Sequence, residues 1–135
     1  MLSDEHNVMI ETFQHHQAAH SSSCLIVKGA LQGKASAHYA GTIRVEKQAY
    51  GSYASQENKN ILLSAQARAV SIPNLEVLNN EVKCFHASAI GRFDNEQLFY
   101  IATRGIDEKV AQQILLDAFF ADVVDGNESL IQDFY

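Results

Sequence analysis

The chain has 135 residues, 47% of them apolar, and a formal net charge of −6. That length buries one modest core, and no run approaches the roughly 18 uninterrupted apolar residues that a membrane-crossing helix needs. Two cysteines, Cys24 and Cys84, are too few for a disulfide framework and point to a reducing cytoplasm.

The charge is uneven. Residues 1–93 hold eight Lys/Arg and seven Asp/Glu, whereas residues 94–135 hold two and nine. No basic stripe of the kind that meets nucleic acid is present. The acidic C-terminal part suits either a solvated face or a basic protein surface. Residues 1–7 carry Asp4 and Glu5 and no basic residue, which is not the pattern of a signal peptide.

Near the N-terminus, His15, His16 and His20 cluster with Gln14 and Gln17. Three imidazoles suit a transition metal, but the expectation is a solvated, locally flexible segment. From Cys24 to Ile90 the apolar residues come in bursts of three to five, such as Cys24-Leu25-Ile26-Val27, Thr42-Ile43-Arg44-Val45, Ile61-Leu62-Leu63 and Ala87-Ser88-Ala89-Ile90. Turn-like residues separate them, among them Gly33, Gly41, Gly51, Pro73-Asn74 and Asn79-Asn80. This reads as mainly β with very short strands and no clean internal repeat. Short strands suit the coils of a parallel β-helix, a sandwich or a small barrel.

Within this region, Gly29-Ala30-Leu31-Gln32-Gly33-Lys34-Ala35 has three residues between the glycines where a phosphate-binding loop needs four. Ala35 also stands where the metal-binding hydroxyl belongs, so no nucleotide is assigned to this chain. His38, beside Tyr39, is read as structural. If residues 82–87 form a strand, the period of two puts Cys84 and His86 on one face and Lys83 and Phe85 on the other. A thiolate and an imidazole are two soft-to-borderline ligands for iron, zinc or copper, too few for a closed centre. The pair is either half of a site completed across an interface or a small buried hydrophobe beside an exposed histidine. A nucleophilic Cys/His dyad fits poorly, because neighbours on one flat strand diverge in parallel.

After Phe93 the period changes to that of helices. Asp94-Asn95-Glu96-Gln97 has capping-box form, with the Asp94 carboxylate expected on the N–H of the third helical position. The first helix is expected from about 95 to 103 or 104, stopping at Gly105. Asp107 caps a second over roughly 108–124, and a short third piece is expected at 128–134. The second helix carries two apolar stripes. Val110, Ala111, Ile114, Leu115, Ala118 and Ala121 form one; Leu116, Phe119, Phe120, Val123 and Val124 form the other. One stripe covers the chain's own body, and the other meets either a neighbouring helix or a partner.

Four segments, in this order and spacing, resemble the C-terminal portion of the SufB/SufD family of iron–sulfur cluster assembly scaffolds, and SufD more than SufB. They are Asn60-Ile61-Leu62-Leu63-Ser64, Pro73-Asn74-Leu75-Glu76-Val77, Glu81-Val82-Lys83-Cys84-Phe85-His86-Ala87, and Leu98-Phe99-Tyr100 through Arg104-Gly105-Ile106. The likeness spans roughly 33–124. It implies a short right-handed parallel β-helix at about 5–92 followed by a helical domain at 93–135. It also implies a non-catalytic cytoplasmic scaffold component that pairs with a SufB-like subunit and docks a SufC-like ATPase through its C-terminal helices. A transient cluster would be assembled with the partner.

By position, the family's interface histidine is His86 and the neighbouring thiol Cys84, the candidate cluster and metal ligands. Leu116, Phe119, Phe120 and Val123 become the candidate partner-binding stripe. The chain departs from the family at Phe85 and Ala87, where serine and glycine are common, and it is much shorter. A coil stack cut short needs a cap or self-association, and residues 1–20 are a candidate cap. The rival reading is a metal-free interaction module that homodimerises through its β edge and recruits an ATPase.

Overall fold

The computed structural model describes residues 1–124. Six strands come first: β1 (Asn7–His16), β2 (Ser22–Leu31), β3 (Ser36–Val45), β4 (Tyr53–Leu62), β5 (Arg68–Val77) and β6 (Lys83–Gly91). Two helices follow, α1 (Asn95–Ala102) and α2 (Glu108–Val124). The expected third piece at 128–134 lies outside the described residues.

Successive strands go to opposite sheets. One sheet has the order β1-β3-β5 and the other β2-β4-β6, and every pairing is parallel. Partners lie 29 to 32 positions apart in the chain, as with Asn7 and Ser36, Ser36 and Arg68, Ser22 and Tyr53, and Tyr53 and Lys83. The strands are therefore long, five of ten residues and one of nine, and a structural repeat is present. The expectation of very short strands without repeat is corrected. Residues 7–16, which fall both in the candidate cap and in the expected β segment at 5–92, form strand β1.

The corners repeat too. His20 sits at φ 56° and donates its N–H to the Tyr50 carbonyl at 2.8 Å, directly against the Gly51 corner at φ 66°. A Cβ at Gly51 would lie 2.4 Å from His20 Nδ1, so only glycine fits below that ring.

The apolar core is split by a polar band. Ile43, Val45, Ala49 and Ala54 form one buried cluster, with Val82 and Cys84 packed against it. Leu31, Ala35 and Ala67 form the other. Full burial of Leu31, Ile43 and Val45 stabilises the fold by about 1.5–3 kcal/mol each. Between the clusters, β4 turns Gln56, Asn58 and Asn60 inward, all buried.

The helices follow their caps. Asp94 accepts the N–H of Glu96 at 2.9 Å, the second helical position rather than the third. Gly105, at φ 81°, lies just beyond the end of α1, and Asp107 accepts the N–H of Lys109 at 2.9 Å at the start of α2. No helix among the described residues is long and apolar enough to cross a membrane.

Candidate functional site

β6 is the last strand of its sheet, so one row of its backbone N–H and C=O groups has no strand partner among the described residues. The pleat puts Cys84, His86, Ser88 and Ile90 on one face. That face is the inner one, because Cys84 packs against Ile43, Val45, Ala49 and Ala54. In register across the sheet, Cys84 is beside Ala54 and His86 beside Gln56. Lys83 and Phe85 take the outer face, where the Phe85 ring lies 5.8 Å from that of Tyr53.

The two donors have different surroundings. Cys84 is half-buried, and burial pushes its thiol pKa up, which disfavours the thiolate that binds metal or attacks an electrophile. His86 is exposed and makes no hydrogen bond among the described residues. Its ring nitrogens are free to take a ligand's place on a metal. No set of three or more His, Cys, Asp or Glu side chains among the described residues is arranged to hold a metal ion. Cys84 and His86 are two donor groups on one face, and a coordination sphere built on them would need further donors from another molecule.

Of the three N-terminal histidines, His15 and His20 are exposed, as expected of a solvated segment, and His16 is not. His16 is 4% exposed, with Nδ1 2.6 Å from Ser21 Oγ and Nε2 2.7 Å from Ser23 Oγ. His15 points outward to Glu46 at 2.9 Å, and Glu46 also accepts from Arg44 Nε at 2.7 Å. Those two contacts, His15 first, hold the Glu46 carboxyl below its ordinary range. Lys34 pairs with Glu5 at 2.7 Å. Cys24 is exposed, with Ser55 Oγ 3.5 Å from its sulfur.

His16 begins a chain of interior hydrogen bonds. Gln14 Nε2 donates to Ser23 Oγ at 2.8 Å, Gln56 Nε2 donates to Gln14 Oε1 at 3.2 Å, and Thr12 Oγ1 lies 2.8 Å from the Tyr39 hydroxyl. Tyr39, Asn58 and Asn60 also line a cavity of about 140 Å3 between the sheets. Sequence reasoning passed over this band, although a signal was present. In β4, Gln56, Asn58 and Asn60 alternate with Glu57 and Lys59. Charged side chains take the wet face, so the amides must take the dry one.

On α2, Leu116 and Val124 are buried, Phe119 and Phe120 are half-buried, and Val123 is 45% exposed. Lys28 of β2 reaches up from the outer face of its sheet to the Phe119 carbonyl and ring and to Asp122. The stripe containing Phe119 thus meets the chain's own sheet. Val110 and Ile114, from the other stripe, stand 51% and 46% exposed.

Two interleaved parallel sheets, a helical appendage seated on one of them, and a thiol and an imidazole on one face of an edge strand define a stacked-sheet protein. Residues 1–119 match the family described as SUF system FeS cluster assembly, SufBD core domain, and the chain belongs to that family. It is 39% identical over 117 residues to an iron–sulfur cluster assembly SufBD family protein of Mycobacterium leprae, covering 81% of this chain and 30% of the relative. It is 32% identical over 115 residues to the iron–sulfur cluster assembly protein SufD of Escherichia coli, covering 85% of this chain and 27% of the relative. A SufD of Plasmodium falciparum is 29% identical over 126 residues, 93% of this chain and 9% of the relative. The chain thus spans less than a third of the length of these relatives.

Proposed function

We propose that this chain is a SufD-like, non-catalytic scaffold component of cytoplasmic iron–sulfur cluster assembly. Its two sheets are read as the walls of a short right-handed parallel β-helix, residues 5–92, with residues 93–135 as a helical domain. The nascent cluster is cargo, built with a SufB-like subunit that pairs along the β6 edge, and the chain itself binds no nucleotide. His86 is the residue that meets the cargo, with Cys84 beside it. A SufC-like ATPase docks on the stripe of α2 that carries Val110 and Ile114, rather than on the stripe of Leu116, Phe119, Phe120 and Val123, since Leu116 is buried and Phe119 faces the sheet.

The observation that carries the reading is an exposed imidazole, with no hydrogen bond among the described residues, on an edge strand and on the same face as a thiol. The test is anaerobic reconstitution of the complex carrying His86→Ala, with circular dichroism to show an intact fold. Cluster yield is expected to fall several-fold; undiminished yield removes His86 from the site.

Cys84's burial against the core favours a second reading, in which the thiol is a packing residue. The chain is then a metal-free module that self-pairs through its β edge and recruits an ATPase. Complexes that co-purify with the ATPase but contain neither iron nor labile sulfide support that reading.

A further inference from the structure

β1 is an edge strand with little apolar anchorage. It pairs with β3 on one side and has no strand on the other among the described residues. None of its apolar side chains is buried or joins either core cluster; its one buried residue is His16. What ties β1 across the interior to the other sheet is polar. Gln14 Nε2 donates to Ser23 Oγ of β2 at 2.8 Å and to the Ser55 carbonyl of β4 at 3.1 Å, and Gln56 Nε2 donates to Gln14 Oε1 at 3.2 Å. His16 bonds through both ring nitrogens, Nδ1 to Ser21 Oγ at 2.6 Å and Nε2 to Ser23 Oγ at 2.7 Å.

The direction of each bond in this relay is fixed by its ends. A hydroxyl has one hydrogen to give, and a carbonyl oxygen only accepts. Ser52 Oγ, itself buried, donates to the Ala18 carbonyl at 3.3 Å. In its 2.9 Å contact with Ser21 Oγ it must therefore accept. Ser21 has then spent its own hydrogen and can only accept from His16, so Nδ1 carries the ring proton. The other end agrees: Ser23 Oγ accepts from Gln14, and its hydrogen goes to the lone pair of Nε2. Every donor from Gln56 to Ser52 thus points the same way, toward the corner carbonyl of Ala18.

We propose that this relay is a latch: the neutral Nδ1–H form of His16 closes the β1–β2 corner, and β1 is the unit that opens when the relay is broken, with both apolar clusters left intact. Hydrogen bonds aligned in one direction polarise and strengthen one another, so the loss of one link loosens the rest. Local opening draws on segments with few buried apolar contacts, which is the condition of β1.

The test uses the full chain without a partner. A long-range proton–nitrogen spectrum of histidine-labelled protein at mildly alkaline pH is expected to show the His16 proton on Nδ1, the reverse of free imidazole, which favours Nε2–H. Amide hydrogen exchange is then compared for Ser21→Ala, Ser23→Ala and, as a control, Ser22→Ala, whose side chain is exposed. Each of the first two is expected to speed exchange in the β1–β3 ladder about tenfold and to leave the β4–β6 ladder unchanged. Ser22→Ala is expected to change neither. A proton on Nε2 in the wild type overturns the proposal, as does exchange that rises equally in both ladders or in neither. A Ser21 or Ser23 variant that fails to fold overturns it too, since release of β1 has to spare the cores.

Discussion

Lys28 on β2 donates to the main-chain carbonyl of Phe119 on α2 at 2.7 Å, from 91 residues away, and its side chain is only 6% exposed there. The same ammonium lies 4.9 Å from the Phe119 ring centroid and pairs with Asp122. One side chain thus joins the helix to the sheet. Lys28→Ala is expected to lose about 1–3 kcal/mol, read by urea denaturation, because the charged hydrogen bond to the carbonyl and the contact of the ammonium with the ring are both removed. Hydrogen exchange is expected to speed up in α2 more than in β3.

The partner carboxylate makes this contact pH-dependent. The hydrogen bond from Lys28, with the attraction of its charge, holds the Asp122 carboxyl below its ordinary value. A depressed folded pKa adds stability that is present above the unfolded value of about 3.9 and is lost as pH falls through the folded value. Protection of α2 amides is expected to weaken on acidification below pH 4, and Asp122→Asn is expected to lack that increment. Asp122 is more than half exposed, so the effect is small and shrinks with added salt.

Gly41 tests the polar band. A Cβ there would lie 2.4 Å from the Tyr39 hydroxyl oxygen and 2.6 Å from both ends of the Gln56 amide. These groups are held by Thr12 and Gln14 and cannot both retreat. Gly41→Ala is expected to cost about 1–3 kcal/mol, as overpacking does. A thermal melt unchanged from wild type would show that the interior is looser than drawn.

The thiols are expected to separate by reactivity. Cys24 is exposed, whereas Cys84 is half-buried with its thiol pushed up. Mass spectrometry after brief alkylation at neutral pH is expected to find Cys24 modified first. Preferential labelling of Cys84 would instead mark it as an activated nucleophile.

The exposed stripe of α2 gives a binding prediction. Val110→Ser with Ile114→Ser is expected to leave stability within about 0.5 kcal/mol, as surface changes do, and to weaken capture of a SufC-like ATPase at least tenfold. Calorimetric titration against the purified ATPase reads it.

The helices were legible because their ends are chemically marked: Asp94, Gly105 and Asp107 all sit at the expected boundaries. The strands were not, because apolar residues are a poor guide where the inner face is polar. In β4 the inward set is Ala54, Gln56, Asn58 and Asn60, which breaks the hydrophobic alternation from which strand length is read. The repeat hides for a related reason. Leu25, Gln56 and His86 share one column of the sheet and have nothing in common as letters. The face of α2 could not be read from its own sequence, since both stripes are apolar and Lys28, far upstream, decides between them. The placement of Cys84 and His86 on one face followed from alternation alone. The amide beside His86 needed the register of a strand 30 residues earlier in the chain.

Partner spacings of 29, 30, 31 and 32 residues coexist with strands that keep almost one length. All of that variation therefore falls in the linkers at the bends. A residue gained or lost at a bend leaves every column aligned, whereas one gained inside a strand swaps wet and dry positions for the remainder of that strand. Evolution can lengthen such an architecture by adding whole units, and drift at its corners is nearly free. Spacing at the bends is thus a poor guide to kinship among relatives, and agreement between columns a better one.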